Sequence, residues 1–317
     1  MHIINSSENT CRNNRSDSVN PSLSKLCMFL SAIAMGNVGL IVSYLSNYPV
    51  YTIVLLRGIF GTFFLTLFLI IGRSFSWKFI KESIKLHWKS LIIIAIVNPL
   101  VIYLYFLNIT ISNYSIAAFL LYTSGIFLLA ILIITKTERV SRINFISFLL
   151  AILGVAIIME FWRGIGFTPG IIIGILSGFT LSILTFYKKK IYNFRKENPS
   201  KLKEQGDFDT FLAWFSTLFI IIMFFPLGVG DLPKLSLEVL LIALLLGLIP
   251  TALAFALYNV GIKNDKGGNI VIIAYFEPVM ATINTIIFQH TFSIFVIIGG
   301  VFILLANFFV LKYSSSN

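Results

Sequence analysis

Two charged residues lie inside long apolar stretches of the sequence. Glu277 is followed by Pro278 in the stretch 269–288, and Arg57 lies in the stretch 49–72. Each stretch is long enough to cross a bilayer as a helix, and a charged side chain at that depth is costly unless it faces a partner or a cavity. A proline there also frees a backbone carbonyl of the helix. We therefore expect Glu277 and Arg57 at a binding site inside a membrane transporter.

Arg57 and Glu277 are expected at similar depths in the membrane. At 1.5 Å per residue, Arg57 lies about 12 Å from the outer end of its helix, and Glu277 lies about 14 Å from the inner end of its own. One interpretation is a fixed ion pair that joins two helices. The other is that one or both groups contact substrate or a proton, with Glu277 as the mid-span carboxylate that couples transport to protons.

Tyrosine and asparagine side chains within the apolar stretches could complete the site. A buried tyrosine hydroxyl needs a partner, and it can either line an aromatic cavity for an organic solute or bond a neighbouring helix. Pro99 and Pro250 each free a carbonyl in mid-span, where a plain kink is the alternative interpretation. Asn98 stands beside Pro99 and could meet a ligand or satisfy a neighbouring group. The predicted substrate-binding residues are Arg57, Asn98, Tyr103, Tyr122, Tyr275 and Glu277.

The composition is that of a membrane protein. The 317 residues are 57% hydrophobic and 12% charged, with a mean hydropathy of +0.92, whereas a soluble domain carries about twice that charged fraction. The apolar blocks are long enough to span a membrane and lack the alternation of a transmembrane β-strand. We therefore predict an all-α integral membrane protein with ten transmembrane helices. The predicted spans are 25–44, 49–72, 89–110, 112–134, 143–161, 168–188, 209–227, 236–260, 268–288 and 292–312.

Basic residues concentrate in alternate loops. Five lie between 73 and 89, three between 136 and 142, and seven between 188 and 203. Because cytoplasmic loops collect Lys and Arg, we predict that these loops and both termini face the cytoplasm, in a multi-pass protein of the inner (cytoplasmic) membrane. The net charge of +11 then fits contact with the lipid bilayer and predicts no nucleic-acid partner.

The sequence repeats at an offset near half its length. Pro99 corresponds to Pro250, and Tyr122 corresponds to Tyr275. With five spans per repeat, the second half must be inverted in the membrane, and inverted repeats place a substrate site at their interface near the midplane. The predicted organisation is a disordered cytoplasmic tail at 1–24, a first five-helix repeat at 25–161, and a second at 168–312 that contains a basic cytoplasmic loop at 188–208.

Residues for metal or nucleophilic chemistry are scattered through the sequence. The cysteines are Cys11 and Cys27, the histidines are His2, His87 and His290, and no glycine-rich phosphate-binding motif occurs. We therefore predict no cofactor, no metal site and no enzymatic activity. A channel would need a continuous polar pore, and a membrane enzyme would need a nucleophile or metal cluster near an interface. Both remain alternatives to a carrier.

Several segments carry a further pattern in their order and spacing. They are PVYTIVLLR at 49–57, KTE at 136–138, GLIPTALAFALY at 247–258 and YFEP at 275–278. Together, over about residues 25–312, they resemble the EamA-type branch of the drug/metabolite transporter superfamily. The sequence departs from that pattern at residues 289–290, where Gln-His stands in place of the usual Gly-Glu.

The resemblance implies a secondary transporter that works by alternating access, often an exporter of amino acids, other metabolites or drugs. A zwitterionic or weakly charged organic solute fits Arg57, Glu277 and the tyrosines, whereas a multiply charged phosphate would need more basic residues than Arg57. We therefore predict export or exchange of an amino acid or related solute, with S-adenosylmethionine or another nucleotide derivative as the alternative. Protons stay open as the coupling ion, and both a monomer and a homodimer stay open.

Overall fold

The computed structural model describes residues 21–136, 142–158, 160, 162, 168–198, 207–262, 273–274 and 276–313. Within these residues all regular structure is helical, without strands. Seven of the described helices are long and apolar enough to cross a membrane, and three shorter apolar helices span Phe145–Ile158, Phe276–Phe288 and Ile294–Phe309. The prediction of an all-helical integral membrane protein is confirmed, while ten spans in two inverted repeats stay a prediction.

The helices follow one another with short connections. In chain order they are α1 (Pro21–Gly36), α2 (Val38–Ser43), α3 (Val50–Ile71), α4 (Trp77–Ile111), α5 (Tyr114–Leu121), α6 (Ser124–Ile134), α7 (Arg142–Ile158), α8 (Pro169–Glu197), α9 (Phe208–Gly228), α10 (Leu237–Gly247), α11 (Ala254–Ile262), α12 (Phe276–Phe288) and α13 (Ile294–Tyr313). A 3₁₀ turn at Val229–Lys234 follows α9, and a π-helical turn at Leu248–Leu253 joins α10 to α11.

Short polar residues fix where four helices begin. Asn113, Thr168, Asp207 and Ser236 each accept a hydrogen bond from a backbone N–H three residues later, at 2.8 to 3.4 Å. These bonds satisfy N–H groups that the first turn of a helix leaves unpaired. They set the starts of α5, α8, α9 and α10, and thereby the depth of each helix.

Two helices extend beyond the predicted spans. α4 begins at Trp77 and bends at His87, whose φ of −119° and ψ of 15° are not helical. α8 continues to Glu197, so residues 188–197 of the predicted basic loop are helical, which corrects that boundary. Lys, Arg and Glu favour a helix, and α8 ends where the residue before a proline disfavours one. The rest of the loop, 199–206, and residues 1–20 of the predicted tail lie outside the described residues.

Close pairs of helices build the bundle. α7 packs along α13, α4 along α8, α3 along α9, α1 along α11 and α5 along α12. Gly154 and Gly299 let α7 and α13 approach closely, because a Cβ on either would lie within 2.6 Å of the other's carbonyl oxygen. The largest core contains Leu55, Phe106 and Phe211, which are fully buried. Phe106 of this core lies against Arg57, the charged side chain of α3.

Candidate functional site

Arg57 is buried on α3 and its contacts are with neutral groups. Its Nε donates to Thr251 Oγ1 at 3.0 Å, and one terminal nitrogen donates to the Pro250 carbonyl at 3.4 Å. Both acceptors belong to the π-helical turn. Pro250 has no N–H to donate to the Leu246 carbonyl, and the Thr251 hydroxyl donates to that carbonyl at 3.0 Å. Its guanidinium carbon lies 5.2 Å from the centroid of the Phe106 ring. The charge is held by dipoles and an aromatic face rather than by a carboxylate.

Glu277 is buried at the start of α12 and accepts a hydrogen bond from a tyrosine. The Tyr122 hydroxyl lies 3.0 Å from Glu277 Oε2 and 2.9 Å from the Ala274 carbonyl, so its single proton is shared between two acceptors. Tyr122 caps the end of α5, and its own carbonyl accepts from Asn307 Nδ2 at 2.7 Å. The contact joins the first half of the chain to the second at the carboxylate.

Arg57 and Glu277 share one neighbourhood but do not touch. Both residues are described, and no nitrogen–oxygen distance of 4.0 Å or less joins them. They lie close enough for their charges to interact with each other and with the buried Tyr105. Tyr105 itself is buried on α4. We call Arg57, Tyr105, Phe106, Tyr122, Thr251 and Glu277 the central cluster.

The other predicted site residues make different contacts. Asn98 donates from Nδ2 to the Ser216 carbonyl of α9 at 3.1 Å. Tyr103 stacks on Phe224 of the same helix, with ring centroids 5.4 Å apart and planes 26° from parallel. Their contacts therefore join α4 to α9. Tyr275 lies outside the described residues.

Three members of the central cluster were absent from the predicted set. Tyr105 is one of several tyrosines within the predicted spans. Whether Tyr103 or Tyr105 faces Arg57 and Glu277 depends on the rotation of α4 about its own axis. Thr251 stands beside Pro250 as Asn98 stands beside Pro99, and this adjacency indicates that it could satisfy a neighbouring group or meet a ligand, although the predicted set includes only Asn98. Phe106 is one of 31 phenylalanines, and its position under Arg57 has no signature in the sequence.

A second polar group, buried or half-buried, joins the start of α5 to the end of α12. Ser115 Oγ lies 2.8 Å from Thr282 Oγ1, and the Ser115 N–H donates to Thr285 Oγ1 at 3.0 Å. The Tyr114 N–H donates to Gln289 Oε1 at 3.4 Å. These five residues, which we call the outer seam, lie at the predicted outer side of the membrane. Ser115, Thr282 and Thr285 also line a small cavity of about 80 Å³.

Comparisons with known proteins give one consistent description. A model of the EamA-like transporter family matches residues 23–160 and again residues 168–312. A relative described as an uncharacterized transporter, from Archaeoglobus fulgidus (strain ATCC 49558 / DSM 4304 / JCM 9628 / NBRC 100126 / VC-16), is 25% identical over 283 residues. That match covers 87% of this chain and 91% of the relative. A solved crystal structure aligns with a TM-score of 0.61 at 15% identity, covering 93% of this chain and 98% of the other, and shows a shared fold.

Proposed function

Because the chain belongs to the EamA-like transporter family of the drug/metabolite transporter superfamily, as its motifs indicated, we propose that it is a secondary carrier for a zwitterionic or weakly charged organic solute. The family and the archaeal relative support a membrane transporter. The substrate class rests on one observation, the buried cation and buried anion of the central cluster that lie near each other without direct contact. We propose that the solute is an amino acid or a related metabolite, carried as an export or exchange substrate.

The unused bonding capacity of the central cluster favours a solute with charges of both signs. A guanidinium has five N–H donors, and two of those of Arg57 are used in the hydrogen bonds to Thr251 and Pro250. Glu277 uses one oxygen on Tyr122. A substrate carboxylate at Arg57 and a substrate ammonium at Glu277 would each gain a charge-assisted hydrogen bond in a site of low dielectric. Tyr105 would supply a neutral hydroxyl between them.

The pairing of helices supports rocking between two related halves. If the halves correspond, α1 is equivalent to α8 and α4 to α11, so that the pair α1–α11 has its counterpart in α8–α4. The pairs α3–α9, α5–α12 and α7–α13 would each join equivalent helices. This pattern is the one expected of a two-fold relation. We therefore propose two five-helix repeats, with Tyr122 and Glu277 in contact across their interface and alternating access by their relative motion.

A ligand screen with a carboxylate variant tests the proposal. Purified wild-type protein and Glu277→Gln are heated with amino acids, S-adenosylmethionine, nucleosides, polyamines, sugar phosphates and cationic drugs. A ligand present at 100 times its dissociation constant should stabilise the protein by about 2.7 kcal/mol. We expect a zwitterionic compound to stabilise the wild type and to lose that effect in Glu277→Gln. Stabilisation that is equal in both proteins at every ligand concentration and pH would remove Glu277 from the site.

Counterflow in proteoliposomes separates a carrier from a channel. Vesicles preloaded with unlabelled compound should accumulate the labelled compound transiently if the protein is a carrier. A channel would equilibrate the label without overshoot. Repeating the measurement with an imposed pH gradient tests proton coupling through Glu277, because a coupled carrier responds to the gradient and Glu277→Gln does not.

A further inference from the structure

Lys188 lies on the buried face of α8, although the sequence predicted it at the start of a loop. Leu184 and Ile191 flank it at spacings of four and three residues, and both are buried in the largest core. Residues at these spacings share one face of a helix. Lys188 itself is partly buried, whereas Lys190 on the same helix is exposed. The helix therefore directs Lys188 toward the bundle and Lys190 away from it.

The ammonium group of Lys188 has no direct counter-ion or hydrogen-bond acceptor among the described residues. Its Nζ lies 6.0 Å from the centroid of the Phe255 ring on α11. Asp209 on α9 lies near enough for its charge to interact, but no nitrogen–oxygen contact within 4.0 Å joins the two described residues. Asp209 instead accepts a hydrogen bond from the Tyr192 hydroxyl at 2.5 Å. Toward the part of the chain that the structure describes, all three donors of Lys188 are therefore unused.

Lys188 and Arg57 meet the same stretch of chain one helical turn apart. Arg57 contacts Pro250 and Thr251, and Lys188 lies over Phe255. The contacted residues are separated by four to five positions in the sequence. Because the chain runs here from the predicted outer side to the predicted inner side, Lys188 lies on the predicted cytoplasmic side of the central cluster. The two cations thus follow one another along α11 and the turn that precedes it.

We propose that Lys188 is a second anion-binding station, on the cytoplasmic side of Arg57, which binds a carboxylate or phosphate group of the transported solute. This inference rests on the proposed function, because it assumes that a solute passes the central cluster. It also changes the expected substrates: a solute with an additional anionic group, which a single arginine disfavours, is accommodated by two cations about one turn apart.

Chemical labelling of the wild-type protein tests the station without a known substrate. The protein in phosphatidylcholine nanodiscs is treated with sulfo-N-hydroxysuccinimide acetate, and acetylation at Lys188 and Lys190 is measured by mass spectrometry. We expect sodium phosphate and sodium acetate to slow the reaction at Lys188 relative to sodium chloride at equal ionic strength. Lys190 should react equally in all three salts. A Lys188 that does not react, or that reacts equally in all three salts, would overturn the proposal.

A lipid arm distinguishes a solute from a headgroup. Lipid phosphate carries the same chemistry as a soluble phosphate ester, so the labelling is repeated in nanodiscs that contain phosphatidylglycerol. Protection by soluble phosphate in phosphatidylcholine alone supports the proposal. Protection that appears only with phosphatidylglycerol would assign Lys188 to the lipid and overturn it.

Matched variants measure the strength of the station. We expect the phosphate concentration that gives half-maximal thermal stabilisation to rise about tenfold in Lys188→Gln, because a charge-assisted hydrogen bond is lost. Lys188→Arg should keep most of the effect, and Lys190→Gln should match the wild type. An unchanged phosphate response in a folded Lys188→Gln would contradict the proposal. Neither readout involves Glu277, so failure of the proposed function in the ligand screen and failure of this inference give different results.

Discussion

The outer seam and the central cluster both place polar side chains in buried or half-buried positions, but the polar groups of the two regions are satisfied differently. In the seam, Thr282 and Thr285 donate to carbonyls of their own helix, at 2.8 and 2.9 Å, and accept from Ser115. In the central cluster, Arg57 and Glu277 meet neutral partners and retain unused donors and acceptors. Hydroxyl groups that both donate and accept join helices firmly, whereas buried charges without a direct counter-ion suit a charged ligand. The comparison separates residues that hold a conformation from residues that we propose bind a solute.

The largest expected effect is the loss of transport in Arg57→Ala. The substitution removes the cation of the central cluster, whose charge interacts with Glu277. Losing about 3 kcal/mol of charge-assisted bonding to a substrate corresponds to about a 100-fold weaker interaction. Counterflow of the amino acid that best stabilises the wild type measures the loss, with Arg57→Lys as the control that keeps the charge. Wild-type counterflow by a folded Arg57→Ala would make Arg57 a structural residue like those of the seam.

A smaller loss of binding is expected from a substitution at Thr251, which accepts a hydrogen bond from Arg57. Thr251→Val preserves the shape of the side chain but removes the hydroxyl that accepts from Arg57 Nε, so the guanidinium is held less firmly, by the longer bond to the Pro250 carbonyl and by the Phe106 ring. We expect affinity for the same amino acid to fall about tenfold, since one hydrogen bond to a charged group contributes about 1.5–3 kcal/mol. Titration of the thermal shift measures this change. Thr251→Ser retains the hydroxyl and should bind as the wild type does, and a Thr251→Ser as weak as Thr251→Val would point to packing instead.

Two tyrosines of α4, Tyr103 and Tyr105, provide a substitution and its matched control, with an expected loss of binding of intermediate size. Tyr105 lies with the two charges of the central cluster, whereas Tyr103 stacks on Phe224. We expect Tyr105→Phe to weaken binding about fivefold, because one neutral hydrogen bond of about 1 kcal/mol is lost. Tyr103→Phe keeps its ring contact and should change binding less than about twofold. Equal losses in both variants would contradict the assignment of Tyr105 rather than Tyr103 to the cluster.

The membrane class, Arg57 and Glu277 were predictable because a charge inside an apolar run is visible in the sequence alone. The partners of these charges were not. Side chains two positions apart on a helix, such as Tyr103 and Tyr105, are rotated about 200° from each other around the helix axis. The apolar residues on either side of them in the sequence do not reveal which of the two faces the bundle. Asn98 was expected near a ligand, and its bond to the Ser216 carbonyl depends on which helix packs beside α4. Hydropathy ends the predicted span at Lys188, where the first charges of the basic loop begin, whereas the helix α8 continues to Glu197.

The smallest expected effect on binding comes from a substitution in the outer seam, where we expect a loss of stability without a loss of affinity. Thr282 donates its proton to the Pro278 carbonyl, so Ser115 is the donor in the bond between the two hydroxyls. Ser115→Ala should therefore lower the free energy of unfolding by about 0.5–1.5 kcal/mol. Affinity for the amino acid should stay within about twofold of the wild type, because the seam does not contact it.

A double-mutant cycle with Thr282→Ala isolates the bond between the two hydroxyls. The thermal stabilities of Ser115→Ala, Thr282→Ala and the double variant give its coupling energy, which averages about 0.6 kcal/mol for hydrogen bonds between membrane helices. A coupling near this value, with binding unchanged, would support a purely structural seam. If Ser115→Ala weakened binding as much as Thr251→Val does, the seam and the central cluster would belong to one site. The complete hydrogen bonding of the seam hydroxyls would then no longer distinguish structural residues from ligand-binding residues.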